Sequence, residues 1–271
     1  MTSQFALALA AVLVAGLWIS EKCSHHPART RRAYIAGVWG GFLGARLWYA
    51  LQYGDFSLVG GWASWGFVFG ASLGSVAYLR WARGQWAFGD FADAAAPALA
   101  LGGAVMRLNC FSIGCNFGSP TQAAWAVTYP PGAPAYQKHL AEGLIQPGAS
   151  CSLAVHPAQL YESAALFIAF TAILWVRHRQ VSPQDAPQLA TDSKGLSATQ
   201  APRRPWPGGR LRLLPGDLFL GGIVYYSLFR FWVEFIRDDA AGLAFGPLSF
   251  AQASSLLALT AALFVLRLRR T

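Results

Sequence analysis

The stretch Asp217–Asp239, DLFLGGIVYYSLFRFWVEFIRDD, decides how this chain folds. As far as Phe235 it is an almost unbroken apolar run of the length, about 20 residues, that crosses the hydrocarbon core of a bilayer. It nevertheless carries Arg230 and Glu234 inside the run and Arg237 just past it. An ionisable group inside a span is costly and marks a functional site by default. Working outward, six more stretches qualify as spans: Gln4–Ser20, Tyr34–Tyr53, Trp62–Leu79, Phe91–Arg107, Leu160–Val176 and Leu248–Leu266. No Lys or Arg precedes the first, and no small-residue cleavage site stands out, so it reads as a retained helix rather than a signal peptide.

Composition agrees. The 271 residues are 55% hydrophobic and 12% charged, with a mean hydropathy of +0.36. Soluble domains carry about 25% charged residues. Half that charge, gathered outside the apolar blocks, excludes a disordered protein, a coiled coil and an ordinary soluble enzyme. The four cysteines have no metal-like spacing, which argues against a zinc scaffold and a disulfide-rich secreted fold, and no metal or cofactor is expected. The expectation is a single all-α transmembrane domain over residues 1–271, with seven spans, the N-terminus outside and the C-terminus inside.

The basic residues set that orientation. Lys22, Arg29, Arg31, Arg32, Arg80, Arg83, Arg177, Arg179, Lys194, Arg203, Arg204, Arg210, Arg212, Arg267, Arg269 and Arg270 all fall on one side, 16 of the 21 basic residues. The net charge of +9 is therefore a topology signal, with attraction to anionic lipid second. It requires no nucleic acid. Two long connections break the bundle. Residues 110–158 form an outer cap rich in Pro and Gly, and Val181–Pro215, rich in Pro, Gln, Ser and Thr, reads as a flexible inner loop.

Of the five basic residues left, Lys138 belongs to the cap. Arg46, Arg107, Arg230 and Arg237 lie in spans or at their outer ends. Tyr226, Arg230, Glu234 and Arg237 recur at helical spacing, so a Tyr–Arg–Glu–Arg ladder along one face is expected. Such a ladder either neutralises itself to fix helix packing or holds a phosphate on its arginine forks. Two arginines per glutamate leave positive charge over, which favours the anion site. Arg107 precedes a glycine-rich break containing Gly114 and Gly118, and taken by itself reads as an arginine snorkelling to the interface. In HPAQLYES, Glu162 is expected in a first helical turn, where the helix dipole explains it, and Tyr161 fits an interfacial belt. His156 stands at the mouth of that span. Cys110, Cys115 and Cys151 fall outside or near the outer interface and permit one disulfide and one leftover thiol.

In this order, GFLGARLWYAL, DFADAAAPALALGGAVMRLNCFSIGCNFGSPT, WAVTYP, HPAQLYES, FLGGIVYYSLFRFWVEFIRDDA and GPLSFAQASSLLAL resemble the bacterial prolipoprotein diacylglyceryl transferase family. They cover most of Gly37–Leu259. The resemblance implies a multi-pass protein of the bacterial cytoplasmic (inner) membrane. It would move diacylglyceryl from phosphatidylglycerol to the lipobox cysteine thiol of a preprolipoprotein, recognised with its signal peptide among the membrane lipids, and release glycerol phosphate. By motif, Arg107 matches the signature arginine and Gly118 its late glycine. Tyr226, Arg230 and Glu234 match the functional Tyr-x-x-x-Arg-x-x-x-Glu helix, and Arg46 with Tyr49 matches the second span.

The departures lie in the proton-handling half. Trp65 stands where the family has a histidine, Cys110 and Cys115 occupy the signature's Asn and Glu positions, and the first span has no tyrosine. The expected phosphate-binding set is therefore Arg107, Arg230, Arg237, Arg46 and Gly118. The expected catalytic set is His156, Glu234 and Tyr226, with His156 or Glu234 as base. The alternative is a lipid-binding protein on the same scaffold that is non-catalytic or serves another acceptor.

Overall fold

The computed structural model describes residues 3–24, 26–54, 56, 64–82, 88–180, 213–238, 243–245 and 248–270. Helices dominate: α1 Ser3–Lys22, α2 Pro27–Tyr53, α3 Ser64–Trp81, α4 Phe88–Ile113, the short α5 Pro134–Ala141, α6 Ala158–Gln180, α7 Asp217–Val233 and α8 Phe250–Leu268. A small antiparallel pair, β1 Leu243–Phe245 and β2 Leu248–Ser249, leads into α8. The described part of each expected apolar stretch falls mainly on one long helix, although Leu248 and Ser249 form β2 and α7 stops two residues before Phe235. Among the described residues, three helices are long and apolar enough to cross a membrane: Phe88–Ile113, Ala158–His178 and Phe250–Leu268. The inner loop expected at Val181–Pro215 lies outside the described residues except for its last three.

Burial is inverted relative to a soluble protein. Trp39, Leu43, Leu73, Leu257 and Phe264 are exposed, whereas Asp93, Gln159, Glu162, Ser227 and Glu234 are buried. Apolar surface turned outward with polar groups turned inward is the arrangement a hydrocarbon solvent requires. α4 is the hub, packing against α1, α2, α6 and α7, while α2 pairs with α3 and α7 with α8.

Glycines of the second and third spans form a seam. A Cβ on Gly44 would sit 2.2 Å from the Gly66 carbonyl oxygen, and one on Gly70 would sit 2.1 Å from that of Gly40. Small residues at four-residue spacing let the two backbones touch, the usual way for helices to associate in lipid.

At the end of the bundle opposite the cap, α7 starts at Gly216, which offers no side-chain cap. Asp93 of α4 supplies one from across the interface, accepting from the Gly216 amide at 2.7 Å and the Phe219 amide at 3.0 Å. Asp217 accepts from the Leu214 amide at 2.9 Å and faces Arg269 and Arg270 of the C-terminal segment. The cap between α4 and α6 has its own small core of Phe117, Tyr129, Ala135 and Val155. It is tied to the segment after α7 by Lys138 and Asp238, 3.0 Å apart.

Three local expectations are corrected. α4 continues to Ile113, so Arg107 lies well inside the helix rather than at a break. α6 begins at Ala158 and has no acidic residue in its first turn, so Glu162 is not explained by the dipole. α7 ends at Val233, with Glu234 as its C-cap, so the expected ladder bends away before Arg237.

Candidate active site

The site is built where α4, α6 and α7 meet beneath the cap. Its centre is Glu162, fully buried on α6. One carboxylate oxygen, Oε2, accepts from Arg107 Nε at 2.7 Å and from the Tyr226 hydroxyl at 3.4 Å. The other accepts from Arg237 Nη1 at 3.2 Å. A carboxylate taken out of water is tolerated only when its oxygens are saturated this way.

Glu234 forms the second node. Its Oε2 accepts from Arg230 Nη1 at 2.5 Å and lies 3.8 Å from Arg237 Nε. Its Oε1 accepts from the Ser249 hydroxyl at 2.7 Å. Ser249 is in turn fixed by a capping box with Gln252 that starts α8. Arg237 bridges the two nodes, and its Nη2 also donates to Asn116 Oδ1 at 2.8 Å. Tyr226 shares the Glu162 oxygen with Arg107 and lies four residues, one helical turn, before Arg230 on α7.

Arg107, Arg230 and Arg237 against Glu162 and Glu234 leave one positive charge. Arg237 is the most enclosed, with 7% of its side chain exposed, against 22% for Arg107 and 15% for Arg230. The two more open forks flank Tyr226 and are the ones able to turn a donor edge to a ligand. A phosphodiester also carries one charge, so its arrival would neutralise the cluster. Bidentate guanidinium contacts suit its oxygens.

Gly118 contributes backbone. A Cβ there would lie 2.7 Å from His156 Cβ and 3.0 Å from the Ile236 carbonyl oxygen, so only glycine lets the segments close. Gly118 pairs with Arg237 in a bridge and donates its amide to the His156 carbonyl at 2.9 Å. This contact holds the cap segment, His156 and Arg237 side by side. The His156 ring itself turns to Tyr161, with Nδ1 3.2 Å from the hydroxyl, which accepts from Trp125 Nε1 at 2.7 Å. Tyr161 is thus part of a hydrogen-bonded relay and not only an interfacial aromatic. Arg46 on α2 stands over the Tyr49 ring at 5.5 Å. The Trp65 side chain lies outside the described residues.

Compared with known proteins, residues 2–191 and 206–268 match the family model for prolipoprotein diacylglyceryl transferase. The chain belongs to this family. A diacylglyceryl transferase of Stenotrophomonas maltophilia, named phosphatidylglycerol–prolipoprotein diacylglyceryl transferase, is 30% identical over 237 residues, covering 83% of this chain and 69% of the relative. The protein of that name in Thermosynechococcus vestitus is 28% identical over 269 residues, 94% of this chain and 84% of its own length. The one in Xanthomonas oryzae pv. oryzae is 30% identical over 249 residues, 86% and 73% respectively.

Three members of this cluster were missed by sequence reasoning: Glu162, Asn116 and Ser249. Asn116 and Ser249 carried no signal, being single polar residues in loop and cap. Glu162 did carry one. It is a carboxylate near the start of an apolar span that also needed a partner for Arg107.

Proposed function

We infer that this chain is a membrane transferase that moves the diacylglyceryl group of phosphatidylglycerol to the lipobox cysteine of a preprolipoprotein. The observation that carries the reading is the surplus positive charge of three arginines and two glutamates around Tyr226, on a lipid-facing helical scaffold. Arg107 and Arg230 hold the lipid phosphate, with Arg237, Glu162 and Glu234 fixing their directions. The acceptor sulfur attacks the terminal glyceryl carbon, the C–S bond forms as the C–O bond to phosphate breaks, and glycerol phosphate departs with the bonding electrons. Preorganised guanidinium groups stabilise the charge that builds on the leaving phosphate.

The acceptor thiol must lose its proton. Glu234 and Glu162 are each engaged by at least one arginine and a hydroxyl, which leaves their oxygens already occupied. His156 remains the candidate, its ring oriented through Tyr161 and Trp125. An imidazole can take up a proton and pass it on, which suits the task. Arg46 and Gly118 complete the proposed set, Arg46 on α2 and Gly118 as the hinge between cap and Arg237.

In the same reading all seven long helices span the bacterial inner membrane, with the cap at 110–158 outside and the residues at 181–215 inside. The signal peptide of the preprolipoprotein then delivers its cysteine laterally to the cap side. Expression in a strain depleted of its own transferase tests the function. Restored lipoprotein modification, with glycerol phosphate released from phosphatidylglycerol by the purified protein, is the expected result. Normal membrane levels without either activity would overturn it.

A further inference from the structure

Beside the arginine cluster lies a feature the transfer reaction does not use. The last turn of α4 ends in the left-handed Gly114 at φ +83°, and the amides of Gly114 and Cys115 both donate to the Cys110 carbonyl, at 2.9 and 3.2 Å. This helix ending carries the residue after the glycine back over the helix and sets its side chain against the one five positions earlier. Here those two side chains are the thiols of Cys115 and Cys110. Asn116, itself at φ 58°, donates one amide nitrogen toward both sulfurs, at 3.5 Å to Cys110 and 3.4 Å to Cys115. Both cysteines are free and partly accessible. Contact with the Cys110 sulfur, and then burial, push the Cys115 thiol above the usual range.

The pair touches the site at two points. Cys110 lies one helical turn after Arg107 on α4, and the Asn116 carbonyl oxygen accepts from Arg237. We propose that Cys110 and Cys115 are a reversible dithiol–disulfide pair, oxidised by a disulfide-bearing thiol compound, whose reduced form holds Asn116 and through it Arg237. One sulfur, as thiolate, attacks the oxidant disulfide and releases one thiol. The second sulfur then attacks that mixed disulfide, releases the second thiol, and closes the Cys110–Cys115 bond. The protein loses two protons and two electrons, and the oxidant disulfide becomes two thiols. Closing the bond draws the two sulfurs onto each other and away from the amide nitrogen they share, so oxidation slackens Asn116 and with it the seat of Arg237. The role assigned to Arg237 rests on the proposed transferase reading, whereas the disulfide does not.

The test uses the full chain in phosphatidylglycerol nanodiscs, with Cys23→Ala and Cys151→Ser, treated with oxidised glutathione and then with a maleimide, and read by intact mass. Both remaining thiols should vanish together, with no glutathione retained, and dithiothreitol should restore both. The further single variants Cys110→Ala and Cys115→Ala should each trap one glutathione adduct. Retained adducts, or two alkylated thiols, in the two-cysteine protein would overturn the pair. Oxidation should also lower glycerol phosphate release about ten-fold, the cost of weakening one charge-assisted hydrogen bond, and the single variants should not respond in this way. If the reduced protein turns over no lipid, the transferase reading fails. The coupling is then read from phosphatidylglycerol binding with the same ten-fold expectation. Equal binding in both redox states would refute it.

Discussion

Glu162 shows how one residue changes meaning between chain and fold. Along the sequence it is a glutamate near the start of an apolar helix that the helix dipole suffices to explain, but in the structure it is the common partner of Arg107, Arg237 and Tyr226. Removing it leaves enclosed guanidinium groups facing one another. Glu162→Ala should therefore cost about 3–5 kcal/mol, the usual penalty for breaking a buried pair from one side, read as a lowered unfolding midpoint in detergent. Arg230→Ala acts differently, because Arg230 is more open and faces the proposed ligand. It should leave the protein folded and weaken phosphatidylglycerol binding roughly 10- to 150-fold, equivalent to about 1.5–3 kcal/mol. Unchanged binding in folded Arg230→Ala protein would remove it from the phosphate site. His156→Ala should lower turnover while lipid binding stays constant. Turnover equal to that of the parent would exclude His156 as the base and leave water or the substrate's own phosphate to take the proton.

At the scale of elements, two contacts set where the site-bearing helices lie. The α2–α3 seam places carbonyl oxygens where side chains would otherwise begin. Gly70→Leu cannot be accommodated by a rotamer change, because the obstacle is the Gly40 backbone. Overpacking of this kind costs about 1–3 kcal/mol, so the variant should show a lower thermal midpoint than Gly221→Leu, where an added Cβ meets nothing within 4 Å. The Asp93 cap fixes the start of α7, the helix that carries Tyr226 and Arg230. Asp93→Ala should destabilise the protein by about 1–2 kcal/mol, as loss of an N-cap does, measurable as faster amide exchange at Gly216 and Phe219 than in the parent. Equal exchange would show that the Asp93 contacts do not hold the helix start.

Across the whole molecule the distribution of charge is the guide. The excess of basic residues on one set of connections predicts that cysteines introduced at Lys138 and Lys194 label from opposite sides of the membrane. Labelling from the same side would break the seven-span arrangement. The outward apolar and inward polar surfaces agree with a lipid surround. Within it, the candidate site lies where the cap meets α4, α6 and α7, and the proposed function needs a lipid phosphate and an acceptor thiol to meet there.

The sequence by itself determined which segments become helices, since hydropathy is summed along consecutive residues and seven stretches carry enough of it. It also singled out Arg107, Arg230 and Arg237, because the cost of a charge among apolar neighbours is visible locally. The Tyr226–Arg230–Glu234 spacing was legible for the same reason, as a helix makes neighbours of residues three and four apart. Only the tertiary structure decided which carboxylate answers which arginine. Nothing local favours Glu162 over Glu234 as the partner of Arg107, yet Arg107 meets Glu162, which comes from a different helix. The turn after Val233 swings Arg237 away from a straight ladder toward Glu162, Asn116 and Gly118. Those partners are set by the faces on which α4, α6 and α7 meet and by the cap that closes over them. Such packing depends on shape and saturated hydrogen bonds between distant segments, and no local pattern in the chain encodes it.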